Sequence, residues 1–406
     1  MCGIYGITER NPEFINSYIK QCSHRGPDGY SIWYDDDISL GHNLLAITSD
    51  PAQGKQPVET RHGVLTYNGE IFNYADLIKE IEWSPQTTCD TEYLSHALGT
   101  MPHEVVNDKI DSMHAYAYYN KAKKHLILSR DHAGIKPLYY AEIPQGLVFG
   151  SEIKGMINKV PNGRCIDDFA AAAMSYSGIN PTRNTLFKNI KKVMPGETLV
   201  YDVANKRFIH SYQKVITPTS KGKLDLEEFR HEAHETVKMS TLGLRKFGVF
   251  LSGGLDSTLV AYELKKILGD LDSFTNKMEP NVRIGEDFND DANCAKRFAE
   301  DYNLNHHSIV VTPETVKQSW NASMHTMEQP VYNISIPMYY QTNKYLSERG
   351  VVVTMAGDMG DELLGGYAKY WKLRNDPPKD FKDMIWKWMH RIKRPVQLTS
   401  KINPRD

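Results

Sequence analysis

Between residues 247 and 355 the apolar positions alternate between two rhythms. Residues 247–251 form a near-continuous apolar run, suited to a strand covered on both faces of a parallel sheet. Leu255, Leu259, Val260, Leu264, Ile267 and Leu268 then recur at helical spacing, and Gly269 follows as a stop signal. The alternation continues with a strand over 273–278, a helix over 293–304 and a strand over 308–311. Val316, Trp320, Met324 and Met327 mark a further helix that ends before Gln329-Pro330. A helix over 337–349 closes at Gly350, and 351–355 reads as a buried strand. Such alternation predicts a doubly wound α/β sheet, with its ligand beyond the carboxyl ends of the strands. One more amphipathic helix is set out by Phe381, Met384, Ile385, Trp388 and Ile392, flanked by Lys387, Arg391, Lys393 and Arg394. One basic helix is weak ground for a membrane or nucleic-acid role, and the plainer reading is a helix packed on the sheet with a solvated face.

Two of the expected strands run into glycine-rich loops. The first reads Leu251-Ser252-Gly253-Gly254-Leu255-Asp256-Ser257 and the second Ala356-Gly357-Asp358-Met359-Gly360-Asp361-Glu362. A glycine loop that opens a helix presents backbone N–H groups and a positive dipole end to an anion. No lysine follows these glycines, so this is not the phosphate loop of Gly-Lys-Ser/Thr nucleotidases.

The first two hundred residues carry a different chemistry. If Met1 is removed, Cys2 holds a thiol and a free α-amine. The amine titrates near ~7.7–8.0 and the thiol near ~8.5, so one can serve as base for the other. Taken alone, Met1-Cys2-Gly3 is more simply an ordinary start of a chain. Its company changes that: His24-Arg25-Gly26-Pro27-Asp28, Gly54-Lys55-Gln56-Pro57, Tyr67-Asn68-Gly69-Glu70, Cys89-Asp90-Thr91-Glu92, Arg130-Asp131-His132-Ala133-Gly134-Ile135-Lys136-Pro137 and Ser151-Glu152-Ile153-Lys154 follow in order.

This ordered series resembles the class II, N-terminal-cysteine glutamine amidotransferases, and its wording is closest to the glutamine-hydrolysing asparagine synthetases. The resemblance implies an N-terminal-nucleophile hydrolase α/β/β/α sandwich over residues 1–203, a polar linker over 204–223 and an ATP-pyrophosphatase-type synthetase domain over 224–406. It implies that Cys2 attacks glutamine while Asn68 and Gly69 hold the oxyanion, the largest single term in most acyl transfers. Asn68-Gly69 alone is equally a type I′ hairpin turn. Glu70 and Asp90 would take the substrate's α-ammonium, with Leu44, Leu45, Ala46, Ile47 and Thr48 lining the same pocket. In the second half the resemblance assigns ATP to Leu251, Ser252, Gly253, Gly254, Asp256, Ser257, Asn276, Ala356 and Gly357. Asp256 and Asp361 are matched to its Mg2+ ligands, and Asp358 to its catalytic carboxylate. The implied reaction forms asparagine from aspartate, with ATP cleaved to AMP and pyrophosphate. Two alternatives stay open: a different carboxylate or carbonyl acceptor, and a partial synthetase acting as a subunit or binding module.

Two positions, and the early end of the chain, depart from the family pattern. His42-Asn43-Leu44-Leu45-Ala46-Ile47 places Leu44 where an arginine usually forks onto the glutamine α-carboxylate. An aliphatic side chain cannot replace that fork, so either Arg25 or Arg61 substitutes or glutamine binds weakly. Asp358 stands where the family has glutamate, a carboxylate one methylene shorter. The chain also ends soon after Tyr367, so a second polypeptide supplying further helices is one expectation.

At 406 residues there is room for two domains. A net charge of −2 argues against a general nucleic-acid binder. No apolar run approaches a membrane span and the start lacks a signal-peptide pattern, so the expected setting is cytoplasmic; a homodimer is a further expectation. The five cysteines, at 2, 22, 89, 165 and 294, show no zinc-type spacing. His306 and His307 share an expected strand, where neighbouring side chains leave opposite faces.

Overall fold

Along the strand Gly3–Ile7 successive side chains leave opposite faces, and each face buries its own set. Ile4 joins a core with Leu40, Val64, Ala117, Leu128 and Phe149, whereas Tyr5 and Ile7 pack with Ile15, Tyr18 and Ile19. The strand Gly63–Ile71 divides in the same way. Val64 enters the first core, while Leu65, Tyr67 and Ile71 pack with Tyr93, Leu94, Ala97 and Leu98. The first core therefore lies between two sheets. The helix Pro12–Gln21 covers the outer face of one sheet and the helix Asp90–Thr100 that of the other. This is the expected α/β/β/α sandwich.

The structure, a computed structural model, describes residues 1–81, 83–216, 222, 225–243, 245–279, 289–330, 333–368 and 370. The first sheet runs in the order Lys191–Lys192, Tyr139–Ile143, Gly146–Gly150, Gly3–Ile7, Ser39–Leu44 and Gly29–Tyr34. The second runs Arg207–Gln213, Glu197–Asp202, His125–Arg130, Ser112–Asn120, Gly63–Ile71 and Val58–Glu59. Arg207–Gln213 falls within the stretch expected as linker, and it pairs antiparallel with Glu197–Asp202, so the second sheet extends past residue 203. Residues 217–221 and 223 of that linker, and the helix expected over 381–392, lie outside the described residues.

The third sheet is parallel throughout, in the order Asn305–Val311, Asp272–Met278, Lys246–Phe250 and Val351–Met355. The helix Leu255–Leu268 ends where expected, because Gly269 reaches a φ of 75° that a side chain would resist. The strand expected over 308–311 is longer, Asn305–Val311. Its polar first half is held by pairing with all seven residues of Asp272–Met278, which no local apolar pattern reveals. His306 bonds Ser273 at 3.0 Å while His307 stacks on Phe274, so the two rings diverge as strand alternation demands. Chain order and spatial order reverse between Lys246–Phe250 and Val351–Met355. A crevice opens beyond such a reversal, and both glycine loops leave their strands there. No described helix is long and apolar enough to cross a membrane.

Candidate functional site

Cys2 precedes the strand Gly3–Ile7 and lies against the turn that leaves Ser39–Leu44. Its Sγ accepts the Leu45 N–H at 3.3 Å and faces the Leu45 carbonyl at 3.5 Å. From the other side Arg25 donates Nε to the Cys2 carbonyl at 2.9 Å and Nη1 to Glu152 at 3.0 Å. Glu152 also pairs with His24 at 2.8 Å and with the Lys154 ammonium. Burial would raise the Glu152 carboxyl, but His24, Lys154 and Arg25 outweigh it and hold the group at about 2. Gly26 lets this loop press on the neighbouring strand, since a Cβ there would enter the backbone of Asn43 and Leu44.

One cavity of about 50 Å³ gathers Cys2, Leu44, Leu45, Ala46, Ile47, Thr48, Asn68, Gly69, Glu70 and Asp90. All the residues expected around glutamine thus meet in one place. Asn68-Gly69 is not a turn. Both residues lie inside Gly63–Ile71, opposite Ala115 and His114, because nine residues of pairing with Ser112–Asn120 override the local turn preference. The strands approach so closely that a Cβ on residue 69 would strike the Met113 carbonyl. Asn68 Nδ2 is buried without a partner, a donor free for a ligand, and Glu70 Oε1 is a buried acceptor without one.

Burial, reinforced by the charge of Asp90 and opposed by Lys136, raises the Glu70 carboxyl to about 7. Burial raises Asp90 as well, against hydrogen bonds from the Ile71 N–H at 2.9 Å and the Tyr67 hydroxyl at 3.0 Å. Burial also pushes up the Cys2 thiol, opposed by the Leu45 N–H, the chain-start amine, Lys136 and Arg25. The same burial lowers the Met1 amine to about 5, so it is a neutral proton acceptor at pH 7.

Neither arginine expected to stand in for Leu44 does so. Arg25 is committed to Cys2 and Glu152 and does not line the cavity. Arg61 bonds His62 at 2.9 Å and walls a separate open cleft of about 650 Å³ with Trp83 and His96. The basic residue that does line the Cys2 cavity among the described residues is Lys136. Lys136 lies within the motif Arg130–Pro137, and nothing in its local spacing ties it to Cys2.

The second site lies at the switch point. Gly253 adopts a φ of 88° and packs where a Cβ would strike the Asp291 carbonyl. Ser252 and Ser257 bond through their hydroxyls at 2.8 Å, bracing the loop. Gly254 caps the helix with no side-chain bond, which leaves the N-terminal N–H groups open to a ligand. Leu251 is buried, its N–H donated to Phe274 at 2.9 Å. Asn276 accepts from the Thr342 hydroxyl at 2.6 Å.

The two loops converge. Gly357 lies against the Ser257 N–H and Asp256, following Ala356, and Gly360 rests on the Asp256 carboxylate itself. That places Asp256 one residue from Asp361 along the second loop. Met359 takes a left-handed φ of 71°, strained for a side chain, in turning the chain between the exposed Asp358 and the half-buried Asp361. Among the described residues no three His, Cys, Asp or Glu side chains group as a metal cage.

Comparison with known proteins gives two family matches. A glutamine amidotransferase domain model matches residues 1–213, and an asparagine synthase model matches 228–402. The glutamine-hydrolysing asparagine synthetase 1 of Bacillus subtilis is 29% identical over 91% of this chain and 59% of its own length. A putative asparagine synthetase 2 of Methanocaldococcus jannaschii is 28% identical over 91% of this chain and 76% of its own. Asparagine synthetase B of Escherichia coli is 26% identical, with 92% and 66% covered. The chain thus spans about three fifths of the Bacillus relative that it matches.

Proposed function

Because the chain belongs to the glutamine amidotransferase family by residues 1–213 and carries an asparagine synthase match behind them, we propose that it makes asparagine from aspartate, glutamine and ATP. The observation that carries the reading is the meeting of Cys2, Asn68, Glu70 and Asp90 in one buried cavity.

In this reading, trimming of Met1 frees the Cys2 amine. Met1 also walls the cavity, so its loss enlarges the space for substrate. The amine takes the thiol proton and Sγ attacks the glutamine amide carbon. Charge moving onto the amide oxygen is met by Asn68 Nδ2, which needs no reorganisation because it has no other partner. Gly69 supplies a second N–H. The amine returns the proton to departing ammonia, and water then releases glutamate from the thioester. Glu70 and Asp90 bind the α-ammonium.

At the second site the backbone N–H groups of 253–257 hold the ATP phosphates, with Leu251, Asn276, Ala356 and Gly357 bounding the nucleotide. The aspartate side-chain carboxylate attacks the α-phosphorus, pyrophosphate leaves, and ammonia displaces AMP from the β-aspartyl adenylate. Asp358 would be the carboxylate that accepts the ammonia proton. Asp256 and Asp361 fit magnesium, which takes one or two carboxylates beside phosphate oxygens and would neutralise the departing pyrophosphate. The five free cysteines suit a reducing, cytoplasmic setting.

The test uses the whole chain with glutamine, magnesium-ATP and a panel of acceptors. Asparagine and pyrophosphate in equal amounts, dependent on aspartate, support the reading. Pyrophosphate released only with another acceptor, or not at all, overturns it.

A further inference from the structure

We propose that Lys136 is the cation that receives the α-carboxylate of glutamine in this chain, in place of the arginine for which Leu44 stands. The inference rests on the glutaminase reading and adds a specificity-determining residue to it.

Lys136 is 7% exposed, yet its ammonium has no hydrogen bond and no ion-pair partner within 4 Å among the described residues. A largely buried ammonium whose nearest counter-charges stand beyond bonding distance is costly, so such a group points to an anion that arrives with a ligand. The backbone around it is fixed. The Lys136 N–H is donated to Asp131 at 3.0 Å, and its carbonyl accepts Arg130 Nε at 2.7 Å. The side chain therefore enters the Cys2 cavity from a braced turn and not from a loose loop.

Its neighbours are the ones a zwitterion needs. Among its electrostatic partners, Cys2 and Glu70 come first, and Glu70 is in turn held down by Lys136. The α-ammonium and α-carboxylate of glutamine hang on one carbon, so their receptors must adjoin. Glu70 and Lys136 do. The Leu44 side chain is buried against Gly54, and it leaves the carboxylate no donor of its own. Arg25 keeps one buried Nη2 without a partner, but it stands outside the cavity wall.

A rival role is support of the Cys2 thiolate, and the two roles differ in what they move. Glutamine binding is measured by calorimetry on the full chain carrying Cys2→Ala, which removes turnover from the readout. Adding Lys136→Met is expected to weaken binding by about tenfold or more. Lys136→Arg is expected to stay within about threefold, because a cation is kept. The α-amide of glutamine, with no carboxylate, is expected to bind the Lys and Met forms alike. Leu44→Arg added to Lys136→Met is expected to restore most of the loss. With Cys2 present, Lys136→Met should raise the KM for glutamine and leave kcat within a few fold.

Unchanged glutamine binding in Lys136→Met overturns the proposal, and so does a loss confined to kcat. Failure of Leu44→Arg to rescue a Lys136→Met protein that keeps the native circular dichroism of its parent also counts against it, and where Lys136→Met loses that signal, a folded Lys136→Arg that has lost glutamine binding by about tenfold or more overturns the proposal. If Cys2 releases no glutamate while binding still depends on Lys136, the glutaminase reading fails and this one stands. No glutamine binding at all overturns both.

Discussion

The Glu328 carboxylate accepts the backbone N–H of Ile153 at 2.6 Å, and its second oxygen accepts that of Lys154 at the same distance. Glu328 ends the helix Pro313–Met327 in the second half of the chain, at a left-handed φ of 54°. The strand-end segment that it grips leads through Lys154 and Glu152 to Arg25 and so to the Cys2 carbonyl. A second tie lies nearby. Arg245 donates Nε to the Ala46 carbonyl at 2.6 Å and pairs with Asp28, whose carboxylate also accepts the Ala46 N–H at 2.9 Å. Both ties grip segments that hold Cys2.

Glu328→Ala strands two N–H donors and removes a charge partner of Lys154. Each unsatisfied buried donor costs ~1–3 kcal/mol, so a loss of roughly 3 kcal/mol is expected in denaturant unfolding followed at the first domain. Glu328→Gln keeps an acceptor and should lose less. An equal loss in both would mean that the charge, and not the hydrogen bonds, holds the segment.

Cys2→Ala should abolish glutamate release and leave asparagine synthesis from added ammonium intact, as followed by separate assays of the two products. A tag left ahead of Cys2 should act like the mutation, because it consumes the free amine. Equal loss of both activities would show that the two sites are not separable.

The pH profile should carry the mark of Glu70. With the carboxyl at about 7, kcat/KM for glutamine should rise as pH passes upward through 7, since only the carboxylate pairs with the α-ammonium. Glu70→Gln should flatten that limb and raise KM. The stability effect has the opposite sign. The folded carboxyl sits above its ordinary 4.5, so the native state holds the extra proton, and Glu70's contribution falls as pH rises from 4.5 to 7. Glu152, held at about 2, contributes stability above 4.5 that is lost as pH falls towards 2. Thermal unfolding of Glu70→Gln and Glu152→Gln across pH separates the two.

Gly360 rests on the Asp256 carboxylate, so Gly360→Ala should displace that carboxylate and cut pyrophosphate release with glutaminase unaffected. Asp256→Asn should do the same through charge, with a loss on the order of 10²-fold or more. Asp358→Glu restores the missing methylene and should raise kcat for synthesis with little change in KM for ATP. No change in kcat would place the limitation elsewhere than in the reach of that carboxylate.

The primary sequence by itself marked Cys2 as the candidate nucleophile, both glycine loops and the strand–helix alternation of the second half, because each is a local pattern. Phe247, Val249 and Leu251 announce a buried strand, and Gly269 a helix end, without reference to anything distant. What lay beyond local pattern was decided by pairing across the chain. Asn68-Gly69 has the composition of a turn and becomes strand interior only because Ser112–Asn120 lies alongside it. Leu44 announced a missing cation, but the lysine that shares its cavity is some ninety residues away in sequence and enters through a turn braced on Asp131. Glu328 gave no sign at all, since a carboxylate at a helix end is ordinary until its partners, Ile153 and Lys154, are brought to it by the tertiary fold. Local preference is a matter of a few neighbouring dihedrals and one side-chain period. The electrostatics of a buried cavity depend on which distant groups the packing leaves unpaired there, and that is a property of the folded chain alone.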